Sequence, residues 1–244
     1  MASSTSSSDP IVFYDIASGP PVHPFAPNPW KARYALNFKC AHFTTEWVDL
    51  ADVTSVRKRL GADPPFYTLP LLKDPSADNT VVGDSFDIAV YLERKYSEAP
   101  SLFPNASSIG LYASFNAHMD NVFPMGAALA SQGMPFNPET EEQCKAEFCR
   151  RMGGQDVRRA HCARRGAEED LGRVSEFLGR CGQILPVLGW PFHWGQKADY
   201  ADIIIGGWLM MFCETVPEWN EIREWHGGLW GKLHDALKPY RGTW

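Results

Sequence analysis

The chain has 244 residues, 44% of them hydrophobic, and a formal net charge of −6. That length carries one large or two medium domains with real cores, and the acidic balance argues against nucleic acid or an anionic membrane as a partner. No apolar run approaches the roughly 18 residues of a membrane span. The opening MASSTSSSD is polar without an apolar core, so it reads as a tail rather than a secretory signal. The six cysteines (40, 144, 149, 162, 181 and 213) show neither CxxC spacing nor partnered histidines. They read as reduced, mostly buried thiols of a cytoplasmic protein, and no metal site is expected.

In chain order, Ile11 to Tyr14 reads as a strand followed by a proline-studded loop. Asn28-Pro29 then predicts a helix start, with Asn as N-cap and Pro at the first helical position. Trp30, Tyr34 and Phe38 repeat at helical spacing behind it. Phe43 to Val48 predicts a second strand, and a short helix is expected over Val53 to Leu60. Leu69 to Leu72 and Thr80 to Val82 predict two more strands around a turn-like Asp74–Asn79 segment. A helix follows Ser85, with Ile88, Leu92 and Tyr96 on one face. The order β-α-β-α-β-β-α implies a small mixed sheet with helices packed on it.

Glu98 to Asn105, with two prolines, is the expected linker. Helical patterns then run from Ser107 to Ser131, from Glu139 to Gly179 with a break near Gly153-Gly154, from Asp199 to Glu214, and from Trp219 to Ala236. Gly182 to Gln196 is expected to be a loop. Asp199 and Asp202 form a capping-box-like pair ahead of Ile203-Ile204-Ile205, a folding signal rather than a site. Arg150-Arg151, Arg158-Arg159 and Arg164-Arg165 are interleaved with Glu147, Asp156, Glu168 and Glu169, and read as a solvated helical face.

Two stretches point to chemistry. In Thr68-Leu69-Pro70, a proline after an apolar residue is a candidate cis peptide that exposes the preceding backbone N–H and C=O. Asp84-Ser85 opens a helix and gathers a carboxylate, a hydroxyl and free N–H groups. Each alone fits a turn or an ordinary N-cap. Together they suit a small peptide, its main chain paired at Leu69 and its charged end held at Asp84-Ser85.

A β-α-β-α-β-β-α domain with these two motifs, followed by helices, resembles the cytosolic glutathione transferases over about Ile11 to Tyr240. The resemblance implies an α/β thioredoxin-like N-terminal domain over 10–97 and an all-α C-terminal domain over 107–240. It matches Thr68, Leu69 and Pro70 to the segment that pairs with the cysteinyl backbone of glutathione, and Asp84 and Ser85 to the pair holding its γ-glutamyl end. Asp199 and Asp202 match the family's capping box. The run Pro27-Asn28-Pro29-Trp30-Lys31-Ala32-Arg33 looks like the fungal A class, which is related to the bacterial β-etherases and associated with aromatic, wood-derived compounds.

The resemblance implies glutathione as co-substrate, with its thiolate, scarce near a pKa of about 8.5, stabilised at the start of the first helix. The position matching the family's activating serine is Ala26, which has no hydroxyl. Asn28 is the candidate replacement donor and catalytic residue, set against the alternative that its side chain caps its own helix. Tyr14 and Ser18 are weaker alternatives. The expected pocket for a flat aromatic compound is lined by Phe25, Tyr112, Phe115, Asn116, Met119 and Phe123, part of that helical stripe being core. His118 is expected to be a solvated or core histidine. The implied activity joins glutathione to hydrophobic aromatic compounds or removes it from them. A non-catalytic ligandin, favoured by Ala26, and aryl ether cleavage remain as alternatives. A homodimer is expected because closed two-fold dimers are the commonest assembly.

Overall fold

The computed structural model describes residues 9–62, 68–123, 127–131, 133–151, 167–184, 192 and 197–242. Four strands form one mixed sheet: β1 (Ile11–Ile16), β2 (Phe43–Val48), β3 (Leu71–Asp74) and β4 (Thr80–Gly83), in the order β2-β1-β3-β4. β1 and β2 are parallel, which requires a crossover. Helix α1 (Pro27–Phe38) provides it. β3 runs antiparallel to β1 and to β4, with Phe13 opposite Leu72 and Leu72 opposite Val82. The β3–β4 turn passes through left-handed Asp78 and Asn79, residue types that tolerate that conformation. β3 begins at Leu71, later than the expected Leu69, because Pro70 has no N–H to offer the ladder.

Period-two alternation divides the sheet's side chains between two cores. Ile11, Phe13 and Leu72 join Trp30, Tyr34 and Phe38 of α1 and Ile88 and Leu92 of α3 (Ser85–Lys95). Tyr14 and Leu71 pack in a second cluster with Val53 and Val56 of α2 (Val53–Arg59).

Beyond residue 105 the elements among the described residues are helices: α4 (Ile109–Val122), α5 (Ala127–Ser131), α6 (Glu141–Arg151), α7 (Ala167–Ile184), α8 (Tyr200–Thr215), α9 (Trp219–Ile222) and α10 (Trp225–Ala236). The expected helix over 107–131 is two helices. The expected break near Gly153-Gly154 lies outside the described residues, as does most of the expected 182–196 loop, although α7 continues to Ile184. The helix expected over 219–236 is interrupted, with His226, Gly227 and Gly228 left-handed. None of the described helices is long and apolar enough to cross a membrane.

α8 is the buried spine of this domain. Its capping box is complete: Asp199 Oδ1 accepts from the Ala201 and Asp202 N–H groups, and Asp199 N–H donates to Asp202 Oδ2 at 3.0 Å. Gly207 lets α1 lie directly on it. A Cβ there would sit 2.6 Å from the Pro27 carbonyl oxygen and 2.8 Å from Lys31 Cγ. The spine thereby locates the start of α1. Tyr200 fixes the other joint, its hydroxyl donating to the Ser85 carbonyl at 2.8 Å.

Candidate active site

α1 begins earlier than its sequence suggests. Ala26, not Asn28, is the N-cap, with extended backbone and no side-chain cap bond, and Pro27 occupies the first helical position. Because Pro27 and Pro29 lack N–H groups, Asn28 has the one backbone N–H of residues 27–29. Its side chain does not cap: Asn28 Oδ1 is buried without a hydrogen-bond partner among the described residues. The preceding loop is held by Trp30 Nε1, which donates to the Pro24 carbonyl at 3.1 Å, and by Gly19 N–H, which donates to Pro135 at 2.7 Å. Ser18 is consumed in that loop. It is buried, donates to Gly19 and accepts from His23 N–H.

The Leu69–Pro70 bond is cis. Arg57 Nη1 donates to the Thr68 carbonyl at 2.5 Å, and a Cβ at Gly83 would lie 3.1 Å from Arg57 Nη2. One guanidinium therefore touches both the 68–70 segment and the strand end leading to Asp84. A lone arginine on a short helix carries no sequence signal for that role. Asp84 caps α3 by accepting from Phe86 N–H at 2.8 Å. It does so at φ 73° and ψ 138°, a strained conformation for a residue with a Cβ. Asp84 stays exposed, whereas Ser85 is buried.

Between these segments and the C-terminal helices lies an apolar cavity of about 220 Å³. Phe25, Ala26, Asn28, Thr68 and Leu69 are among its lining residues. Pro70, Asp84 and Ser85 are outside its lining. The expected α4 stripe is also outside it. Tyr112, Met119 and Phe123 are core residues, and half-buried Phe115 packs on the same core. Tyr112 donates to Asp199 Oδ2. His118 is exposed. The wall comes instead from Met134, Phe136, Phe148, Trp208 and Met211. Phe123 supports it indirectly by stacking on Trp208, centroids 5.1 Å apart. Helical spacing placed these α4 residues on one face without telling whether the core or a cavity covers that face. Tyr14 lines a different, polar cavity with Glu46 and Arg59, and burial pushes its phenol pKa up.

Asn116 has a structural duty. It accepts from Lys31 Nζ at 2.9 Å and donates to Asp120 Oδ2 at 2.9 Å. Lys31 Nζ also donates to Asp120 Oδ1, which accepts from Trp208 Nε1 at 3.2 Å. Lys31 is fully buried, and desolvation pulls its pKa down against the pull of Asp120. Lys31 on α1 with Asn116 and Asp120 on α4 thus hold the Trp208 wall. Arg151 also lines the cavity, correcting the expectation that its arginine pair is wholly solvated; Arg150 is exposed as expected. The pairs 158-159 and 164-165 lie outside the described residues. No cluster of metal-ligating side chains occurs among the described residues. Cys144 is buried but Cys40 is exposed.

The glutathione S-transferase N-terminal domain family matches residues 25–95, and the C-terminal domain family matches residues 116–240. A Ceriporiopsis subvermispora glutathione S-transferase, CsGST63524, solved in complex with glutathione, is 29% identical, with a TM-score of 0.84 over 96% of this chain and 99% of that one. GSTFuA2 from Phanerochaete chrysosporium is 29% identical, with a TM-score of 0.82 over 97% and 100%. CsGST83044 of C. subvermispora, also solved with glutathione, is 28% identical, with a TM-score of 0.78 over 95% and 99%. No curated protein sequence matches. The mixed four-stranded sheet, the helical second domain and these matches agree: the chain belongs to the glutathione S-transferase family.

Proposed function

We propose that this chain binds glutathione through Asn28, Thr68, Leu69, Pro70, Asp84 and Ser85, and transfers it to or from an aromatic compound in the adjoining cavity. The observation that carries this reading is the meeting of Asn28, Thr68 and Leu69 on one apolar cavity at the start of α1. Relatives solved with glutathione support the choice of ligand. The exposed carboxylate of Asp84 suits the ammonium of a γ-glutamyl group, and the Leu69 backbone suits a peptide unit. Residues 10–97 form the glutathione-binding domain in this reading and 107–240 the helical one. A two-fold homodimer belongs to the same proposal, and size-exclusion chromatography with light scattering checks it.

The start of α1 supplies the electrostatics. Its macrodipole places about half a positive charge there, and the Asn28 N–H is its one donor from residues 27–29. The Asn28 side chain adds a second route. Its unpartnered oxygen occupies a buried spot, and a half-turn of the amide brings the NH2 there as a donor to a thiolate. The thiolate sulfur then attacks the electrophilic carbon, forming the S–C bond as the leaving group departs with its electron pair.

Ala26 favours a second reading, a ligandin that holds glutathione and an aromatic molecule with little turnover. A serine at this N-cap position would accept from the Asn28 N–H and donate to the sulfur at once. Conjugation of 1-chloro-2,4-dinitrobenzene by the native chain and by Ala26→Ser separates the two. Native turnover above the uncatalysed rate supports the transferase. Turnover appearing only in Ala26→Ser, about tenfold or more, supports the ligandin, since a charge-assisted hydrogen bond is worth about 1.5–3 kcal/mol.

A further inference from the structure

One basic side chain, Arg151, lines the mostly apolar cavity. Arg151 ends α6 beside Phe148, and its side chain is 18% exposed. Its Nη2 is buried without a hydrogen-bond partner among the described residues. Its Nε donates to Glu147 Oε1 at 2.9 Å. Arg150 uses the same carboxylate, donating through Nε and Nη2, each at 2.7 Å. Among the described residues one carboxylate therefore serves two guanidinium groups, which leaves one positive charge without a counter-charge. A buried charged donor without an acceptor is costly, and the cost is relieved only when an acceptor arrives.

The remaining walls set size and shape. Phe25, Phe136, Phe148 and Trp208 contribute aromatic rings. The volume of about 220 Å³ suits one substituted ring, since an apolar cavity of about 150 Å³ holds benzene.

We infer that the cavity's second ligand is a one-ring aromatic carboxylate, its ring among Phe25, Phe136 and Phe148 and its carboxylate on Arg151. The inference rests on the proposed glutathione site on the same cavity and adds the class of its co-substrate. A carboxylate matches in two respects. It carries the single negative charge that the arginine pair lacks, and its planar oxygen pair suits the guanidinium fork. A phosphate would bring more charge than the pair can balance.

Isothermal titration calorimetry on the full chain, with and without glutathione, compares trans-cinnamate with cinnamamide, which keeps the shape and lacks the charge. Cinnamate is expected to bind the native protein at least tenfold more tightly. That ratio is expected to fall to near one in Arg151→Gln and to persist in part in Arg151→Lys, which keeps the charge and serves if the Gln variant does not fold. Absent cinnamate binding, equal affinities in the native protein, or an unchanged ratio in Arg151→Gln would overturn the inference. Titrating glutathione alone separates the two readings. A native protein that prefers cinnamate but takes no glutathione keeps the Arg151 assignment and loses the glutathione one. If Arg151→Gln loses glutathione affinity while its cinnamate ratio stays native, the guanidinium belongs to glutathione's own carboxylate and the inference fails.

Discussion

The body of α1 and its first turn obey opposite rules. Along the body and at the C-cap, three cationic side chains are buried, and each has partners. Lys31 has Asn116 and Asp120, Arg33 has Asp15 and Thr45, and Lys39 has Glu93 and the Pro100 carbonyl. In the first turn the polar groups facing the cavity are sparse. Ala26 brings no hydroxyl, two prolines bring no N–H, and Asn28 Oδ1 has no partner among the described residues. Buried polar groups without partners are rare in folded proteins. Asn28 Oδ1 and Arg151 Nη2 are two such groups among the described residues, and both residues line the cavity where the proposed ligands would sit.

Breaking the body should cost most. Arg33→Ala strands Asp15, a fully buried carboxylate, and should remove about 3–5 kcal/mol of stability in urea unfolding. Gly207→Ala attacks the joint between the two parts. Its Cβ would press on the Pro27 carbonyl and Lys31, so the start of α1 must shift. A loss of about 1–3 kcal/mol is expected, with weaker glutathione binding alongside; full glutathione affinity in a destabilised variant would separate the seating of α1 from the site.

The far end of α1 offers a pH test. Asn37 there donates to the Tyr240 carbonyl at 3.0 Å, next to Arg241, which bonds His234 Nε2 at 2.8 Å. Burial, reinforced by Arg241, pushes the His234 pKa down to about 4. The unfolded chain protonates this group near 6.5, so it binds the proton first. Stability should be full above pH 6.5 and decline as pH falls from 6.5 towards 4. A His234→Gln variant should flatten melting temperature against pH in that window, while Asp74, held down near 2 by Lys95, Tyr91 and Ser76 despite its desolvation, acts only below it. The smallest stability effect belongs to the first turn. Asn28→Ala removes an atom with no partner, so chemical denaturation should change by within about 0.5 kcal/mol. Glutathione affinity should nevertheless fall.

The features legible in the sequence were local. β2 follows from a run of strand-forming residues, and the α8 capping box from two aspartates three residues apart. Leu69-Pro70 and Asp84-Ser85 stand out because backbone chemistry restricts which residues fit there. What stayed hidden depended on tertiary neighbours. Two prolines flanking Asn28 left the first helical residue ambiguous. The Tyr112–Phe123 stripe gave the correct face of α4 but not its covering. The cavity wall draws on residues from 134 to 211, which no local pattern connects. Lys31, Arg33 and Arg151 look like surface charges in sequence, and only packing shows which carboxylates they meet.

The most direct test of the proposed glutathione site is the melting temperature with and without reduced glutathione, for the native chain and for Asp84→Asn. Asparagine has the shape of aspartate and can still cap α3, so the variant removes mainly the charge. At about one hundred times Kd, a ligand stabilises the folded state by about 2.7 kcal/mol. The account predicts a clear upward shift for the native protein and a smaller one for Asp84→Asn at the same concentration. No shift in the native protein would contradict it.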